Sequence, residues 1–217
     1  KKMEFPVAPP PLLPKIIGHR GVAGQAPENT LAGFRAASLI GLTWVEFDVM
    51  LSGDGNLVLI HDETVNRTTN GKGSVSELTL EELKKLDAGS KFDPRFRRQR
   101  IPTIYEATEA ISGYGLNANI EIKPAKGHEG ETGWALGRYL ATEWPTSLMA
   151  PIISSFSAEA LESVAVEAPG FPRALLVDRV PRNWRAQTKR LGCSLLHCNQ
   201  GHLRKAEAEK IRESGLH

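Results

Sequence analysis

Residues 44–62 read WVEFDVMLSGDGNLVLIHD. In an extended strand alternate side chains share a face, so Glu46 and Asp48 point one way while Val45, Phe47 and Val49 point the other. The Ser52-Gly53-Asp54-Gly55 break is a tight turn, and the apolar run Leu57-Val58-Leu59-Ile60 then delivers His61-Asp62 at its end. Between Asp48 and Leu57 there is no room for the crossover helix that parallel strands need. Either the sheet is irregular here, or the two strands pair as a hairpin that sets Glu46 roughly opposite His61. Both arrangements keep the two acids near His61. An isolated Glu-x-Asp pair more often marks the solvent face of an edge strand. On the inward side of so apolar a strand, however, unpaired carboxylates are very costly, and a bound metal is the simplest compensator.

Downstream of Pro102 the pattern is regular. Helices are expected over Thr103–Ser112, Thr132–Glu143, Ser157–Ala168, Asn183–Leu191 and Arg204–Ser214. Strands are expected over Ala118–Lys123, Ile152–Phe156, Ala174–Asp178 and Ser194–Asn199. Upstream, Ile16-Ile17 reads as a short strand ending in Gly18-His19-Arg20-Gly21. A helix follows, with Asn29 as its N-cap, Leu31, Phe34 and Ala37 as its apolar stripe and Gly41 as its stop. Repeated strand-helix units imply a parallel sheet closed as a TIM (β/α)8-type barrel, irregular between its second and third strands. Seven strands are counted; the last strand-helix unit is expected to be missing from this chain. A single domain over residues 1–217 is expected, with a proline-rich lead-in at 1–15. Residues 63–101 read as an insertion over the barrel mouth, with a Thr79…Glu82 capping box. Its Arg95, Arg97, Arg98 and Arg100 read as a solvated face rather than a steering patch.

The 217 residues, 41% hydrophobic, suffice for one sizeable core. A formal net charge of +2, from 27 basic and 25 acidic residues, gives no argument for a nucleic-acid partner. No apolar run reaches the ~18 residues of a membrane span, so no membrane insertion is expected. Without a secretory leader pattern, a cytoplasmic location is expected. Cys193 and Cys198 lack metal or redox spacing and read as reduced core thiols.

A second acidic signal lies in Asn119-Ile120-Glu121-Ile122-Lys123-Pro124, where Glu121 and Lys123 share a face. Taken alone it is a salt-bridged pair. Combined, the chain offers three inward acids on two strands, two strand-end histidines, and an arginine and a lysine beside them. That set supplies hard oxygen ligands for one divalent cation, Mg²⁺ or Ca²⁺, two groups titrating near neutrality and two cations for a phosphate. It suits phosphoryl transfer.

HRG at 19–21, PENT at 27–30, EFD at 46–48, HD at 61–62, NRTTNGKG at 66–73 and NIEIKP at 119–124 stand in an order that resembles the glycerophosphodiester phosphodiesterase family. Leu86–Ser90, Ser154-Ser155-Phe156 and Arg190–Cys193 are similar to its cytoplasmic bacterial branch. The resemblance implies a barrel hydrolase that releases glycerol 3-phosphate and an alcohol from small glycerophosphodiesters such as glycerophosphocholine or glycerophosphoethanolamine. It places the metal acids at Glu46, Asp48 and Glu121, the catalytic histidines at His19 and His61, and phosphate-contacting groups at Arg20 and Lys123. Phe156, at a strand end, faces either the glycerol carbons or the core. His197 and Asn199 are weaker candidates for contact with the alcohol. The expected route is attack by the glycerol 2-hydroxyl to give a cyclic phosphate that water then opens. A binding-only barrel would not need two proton-transfer groups. A phospholipase on the same fold would need an apolar lip or anchor helix, and the sequence has neither evident.

Overall fold

The computed structural model describes residues 4–217. In chain order, helix α1 (Leu31–Leu39) precedes strands β1 (Trp44–Leu51) and β2 (Leu57–Leu59). Helices α2 (Leu80–Lys85) and α3 (Ile104–Gly113) follow, then β3 (Asn117–Ile122), α4 (Glu129–Thr142) and β4 (Ile152–Ser155). The last five elements are α5 (Ala158–Glu167), β5 (Arg173–Val177), α6 (Trp184–Leu191), β6 (Leu195–Cys198) and α7 (Lys205–Glu213). They form a TIM-type α/β barrel whose sheet, ordered β2-β1-β3-β4-β5-β6, is not closed by hydrogen bonds among the described residues. All neighbours pair in parallel except β2, which runs antiparallel to β1 with Val49 opposite Leu59 and Leu51 opposite Leu57. The hairpin alternative therefore holds, and continuing its register brings His61 level with Phe47, one residue from the expected Glu46.

The expected strand at Ile16-Ile17 is not formed. It shrinks to one bridge between Gly18 and Val45, and Ile16 is exposed. The outer edge of β1 is shared, which leaves no length for a full partner. The Gly18 N–H donates to the Trp44 carbonyl (3.0 Å) and the Gly18 carbonyl accepts from the Glu46 N–H (2.7 Å), while β2 takes the far end. The chain then folds back so tightly that a Cβ on Gly18 would lie 2.1 Å from the Gly21 carbonyl oxygen, a close approach only glycine permits.

The alternation of β1 separates two interiors. Val45, Phe47 and Val49 enter the layer between sheet and helices, where Phe47 meets Phe34 of α1 at a ring separation of 5.3 Å. Trp44 points into the barrel and joins Ile152, Ala174 and Leu195 from the N-terminal ends of β4, β5 and β6, with Leu13 and Ile17 against them. Higher up, the lining turns polar: Asn119 donates to Ser154 (3.2 Å), and Glu46 and Asp48 stand level with Asn119 and Glu121. The barrel is thus apolar at its base and acidic at its mouth, the end where TIM barrels carry chemistry.

Two further features anchor the frame. Arg173 on β5 is fully buried, and its guanidinium donates only to backbone carbonyls, those of Pro6, Pro169, Phe171, Leu191 and Gly192. This ties the N-terminal arm to the base. Residues 63–101 build a small core of their own, in which Val65, Val75, Leu83, Ala88 and Ile101 pack on Met50, Val58 and Ile60. The Thr79–Glu82 capping box of α2 forms as expected, and Thr103–Glu106 closes a second one on α3. Arg95 is paired with Asp93, and Arg100 donates to the Lys85 and Leu86 carbonyls, so two of the four arginines are engaged locally. Cys193 is buried, which pushes its thiol up to about 12, and both cysteines are free.

Candidate active site

β1 and β3 are parallel neighbours with Asp48 level with Glu121, so the period of two that orients Glu46 and Asp48 also brings Glu121 to them. One oxygen from each of the three acids lies within 4.8 Å of the others. Glu46 and Asp48 are 8% and 1% exposed, and each of the three keeps a buried oxygen with no hydrogen-bond partner: Glu46 Oε1, Asp48 Oδ1 and Glu121 Oε1. Burial raises all three carboxyls above their ordinary values, Glu121 to about 7; the neighbouring acids add to the rise at Glu46 and Glu121, whereas Asn29 and the nearby basic groups oppose it at Asp48. Three largely buried carboxylates whose oxygens come this close together are what a hard divalent cation compensates. The residues present fit such an ion.

The remaining oxygens are held by the segment after Gly18. Arg20 donates its backbone N–H to Glu46 Oε2 (2.8 Å), and its Nε lies 3.4 Å from Asp48 Oδ2. Asn29 donates from Nδ2 to Asp48 Oδ2 (2.9 Å), and its Oδ1 accepts from the Asp48 N–H (3.1 Å). Asn29 was expected to cap α1; Thr30 does so instead, accepting from the Gly33 N–H, which frees the Asn29 amide for Asp48. Arg20 and Asn29 both adopt left-handed backbone conformations (φ 51° and 54°). Such residues are strained by about 1–2 kcal/mol each, and here the turn aims an N–H and an amide at the acids.

The two histidines flank this cluster. His19 Nε2 is 4.0 Å from Glu46 Oε2 on a largely exposed ring, and partial burial together with Arg20 lowers its pKa. His61 sits half-buried with Nδ1 2.8 Å from Asp62 Oδ1. Lys123 Nζ lies 3.6 Å from Glu121 Oε1 and 5.7 Å from the centre of the Phe156 ring. Phe156 is 56% exposed, so it belongs to the mouth and not to the core. His61, Asp62, Lys123, Phe156, Ser157 and Glu129 line a cavity of about 690 Å³ beside the acids. His197 faces inward from β6, where burial lowers its pKa to about 4, and the Asn199 amide is taken by Asp178. His202 also pairs with Asp178, and His128 with Glu131.

Sequence reasoning missed Asn29, Glu28 and Arg67 as parts of this site. Glu28 accepts from Arg20 (3.0 Å) and from Arg67 (2.8 Å), across 39 residues of chain in the second case. Only their position inside the PENT and NRTTNGKG stretches hinted at them.

A TIM-type barrel whose mouth gathers three acids fit for a cation, two histidines and two basic side chains defines a class, that of the phosphate-handling barrel hydrolases. The chain belongs to the glycerophosphoryl diester phosphodiesterase family, whose model matches residues 19–217. A glycerophosphodiester phosphodiesterase of Caldanaerobacter subterraneus subsp. tengcongensis is 46% identical over 74% of this chain and 65% of its own length. A relative in Mus musculus, glycerophosphodiester phosphodiesterase 1, is 38% identical over 67% of this chain and 43% of its own length. The aligned part thus spans less than two thirds of these curated relatives. Among solved structures, an Oleispira antarctica phosphodiesterase in complex with the product sn-glycerol-3-phosphate is 42% identical, with a TM-score of 0.90 over 94% of this chain and 82% of that one. A glycerophosphodiester phosphodiesterase from Thermotoga maritima is 27% identical, with a TM-score of 0.71 over 95% of this chain and 84% of that one. No helix among the described residues is long and apolar enough to cross a membrane.

Proposed function

We propose that this chain hydrolyses small glycerophosphodiesters, such as glycerophosphocholine and glycerophosphoethanolamine, to glycerol 3-phosphate and an alcohol, with one divalent cation, Mg²⁺ or Ca²⁺. The observation that carries this is the meeting of three largely buried carboxylates beside two histidines in a family member. Glu46, Asp48 and Glu121 would hold the cation, which when bound would supply Lewis-acid charge and a template for the phosphate.

The chain's own residues do the rest. Arg20 and Lys123 neutralise phosphate oxygens as charge builds on phosphorus. Asp62 is held ionised, chiefly by its hydrogen bonds from Arg67, so it accepts from the His61 Nδ1–H and leaves Nε2 as the atom that carries the proton to be transferred. His61 lines the cavity that would take the leaving alcohol, and it gives that alcohol its proton; His19, outside that cavity, takes the proton of the attacking hydroxyl. The glycerol 2-hydroxyl is the attacking group, and the histidines exchange roles when water opens the cyclic phosphate.

The test is release of glycerol 3-phosphate from glycerophosphocholine with added Mg²⁺ or Ca²⁺, set against fatty-acyl phospholipids and against full chelation. Turnover that survives chelation, or that favours intact lipids, would overturn the reading. A 2-deoxy analogue cleaved at the parent's rate would replace the hydroxyl with water as nucleophile.

A further inference from the structure

Arg67 reaches two carboxylates at once. Its Nε and Nη2 donate to Asp62 Oδ2 and Oδ1 (2.7 and 2.9 Å), and its Nη1 and Nη2 donate to Glu28 Oε2 and Oε1 (both 2.8 Å). Asp62 Oδ1 in turn meets His61 Nδ1 at 2.8 Å, and Glu28 Oε1 accepts from Arg20 Nη1 at 3.0 Å. A continuous chain of charge-assisted bonds therefore runs His61–Asp62–Arg67–Glu28–Arg20. It spans the gap between the loop after β2 and the loop after Gly18, two segments that hold opposite sides of the site. A planar guanidinium with a bidentate grip on each acid fixes direction as well as distance, which an ammonium cannot do.

We propose that Arg67 is a positioning residue for the phosphodiester cleavage: acting through Asp62, and steadied by Glu28, it holds the His61 ring in line with the leaving oxygen. This rests on the reading of His61 as the proton donor to the leaving alcohol. Arg67 is itself half-exposed, lies outside the apolar core and touches neither the acid cluster nor the cavity beside His61. A purely structural surface ion pair would contribute little and would leave chemistry alone. A group that orients a catalytic side chain costs roughly 10–100-fold when removed.

The experiment compares wild type, Arg67→Ala, Arg67→Lys, Asp62→Asn and the Arg67→Ala/Asp62→Asn double variant on two substrates, glycerophosphocholine and glycerol 3-(4-nitrophenyl) phosphate. The second has a leaving group acidic enough to depart without a proton. Wild-type turnover of glycerophosphocholine, and its loss in His61→Ala, are measured first and decide the underlying reading separately. With that in hand, Arg67→Ala should lower kcat for the choline ester roughly 10–100-fold with KM little changed, and should lower the single-turnover rate of nitrophenolate release from the nitrophenyl ester far less. Arg67→Lys, which keeps the charge but can serve only one acid well, should be intermediate. The double variant should be no slower than Asp62→Asn alone, since the two residues act in series. Equal losses on both esters, additive losses in the double variant, or wild-type kcat in a folded Arg67→Ala protein would each overturn the proposal. Should Arg67→Ala fail to fold, Arg67→Lys and Asp62→Asn carry the same comparison.

Discussion

Asp48 is 1% exposed and still carries an oxygen with no partner in the fold, while its other oxygen is gripped by Asn29. The grip makes Asn29 a residue with a measurable duty. Replacing it by glycine keeps the left-handed backbone without strain and removes only the amide. Asn29→Gly should weaken binding of Mg²⁺ or Ca²⁺ about 10–100-fold, as read by calorimetric titration. The histidines are separable by leaving group. His61→Ala should cost about 10²–10⁴ in turnover of glycerophosphocholine but much less in single-turnover release of nitrophenolate from a nitrophenyl ester, while His19→Ala should be slow on both. Equal sensitivity of the two variants would end the assignment of separate roles. At this scale the sequence was informative wherever a local period operated. The alternation that sends Glu46, Asp48 and Glu121 inward is visible in six or eight letters. Asn29 was misread because asparagine is among the best N-caps and the capping threonine stands next to it. Glu28 and Arg67 gave no local signal, because their meeting depends on how two loops 39 residues apart are folded together.

Elements owe their ends to similar local chemistry, and the exceptions are instructive. Both capping boxes, the Ser157 cap of α5 and the hairpin between β1 and β2 follow from residues within four positions of each other. The strand expected at Ile16-Ile17 fails because pairing depends on what else occupies the neighbouring edge, which periodicity cannot reveal. The 63–101 segment is less open to sequence reading again, since it is held by loop bonds as much as by helices. Asp87 is its pin: burial would raise the carboxyl, but it accepts from the N–H groups of Arg98, Ser90 and Gly89, and these hold its pKa well below the usual range. Asp87→Ala should destabilise the fold at neutral pH by about 1–3 kcal/mol in urea melts. Because the folded pKa lies below the unfolded value of about 3.9, the carboxylate's contribution is fully present above that value. It drains as pH falls through the folded pKa. The deficit of the variant should therefore shrink in acid, and a deficit that stays constant would show that the bonds are not to the ionised form.

At the scale of the whole molecule, the acid-lined mouth links stability to cation and to proton. Without a cation the native state keeps protons on carboxyls that the unfolded chain would release, since their folded pKa values are raised, that of Glu121 to about 7. Cation-free stability should thus fall as pH rises from about 4.3 towards 7. A divalent cation at a hundred times its dissociation constant should restore about 2.7 kcal/mol at neutral pH. The gain should contract near pH 5, where protons compete for the same oxygens. Melting curves with Mg²⁺, Ca²⁺ or chelator at the two pH values check this, and a cation effect independent of pH would place the ion elsewhere. The barrel class was open to sequence reading because strand and helix periods repeat. The exact pairing along its sheet was less legible, because which strand ends meet is settled by residues far apart in the chain.

All eight residues of β1 are buried, and both of its edges are occupied, one by β3 and the other by Gly18 and β2 in turn. Backbone amides in such a strand are released to solvent only when the molecule opens as a whole, whereas a segment with its own small core can open separately. In deuterated buffer the amides of Val45–Val49 should therefore exchange last, and those of 63–101 much earlier. The carboxylates of Glu46 and Asp48 ride on the slow strand, while His61 and Arg67 lie where the fast segment begins. A transient opening would thus dismantle the proposed proton donor and leave two of the three acids in register, so the site would rebuild from the side of those acids outward.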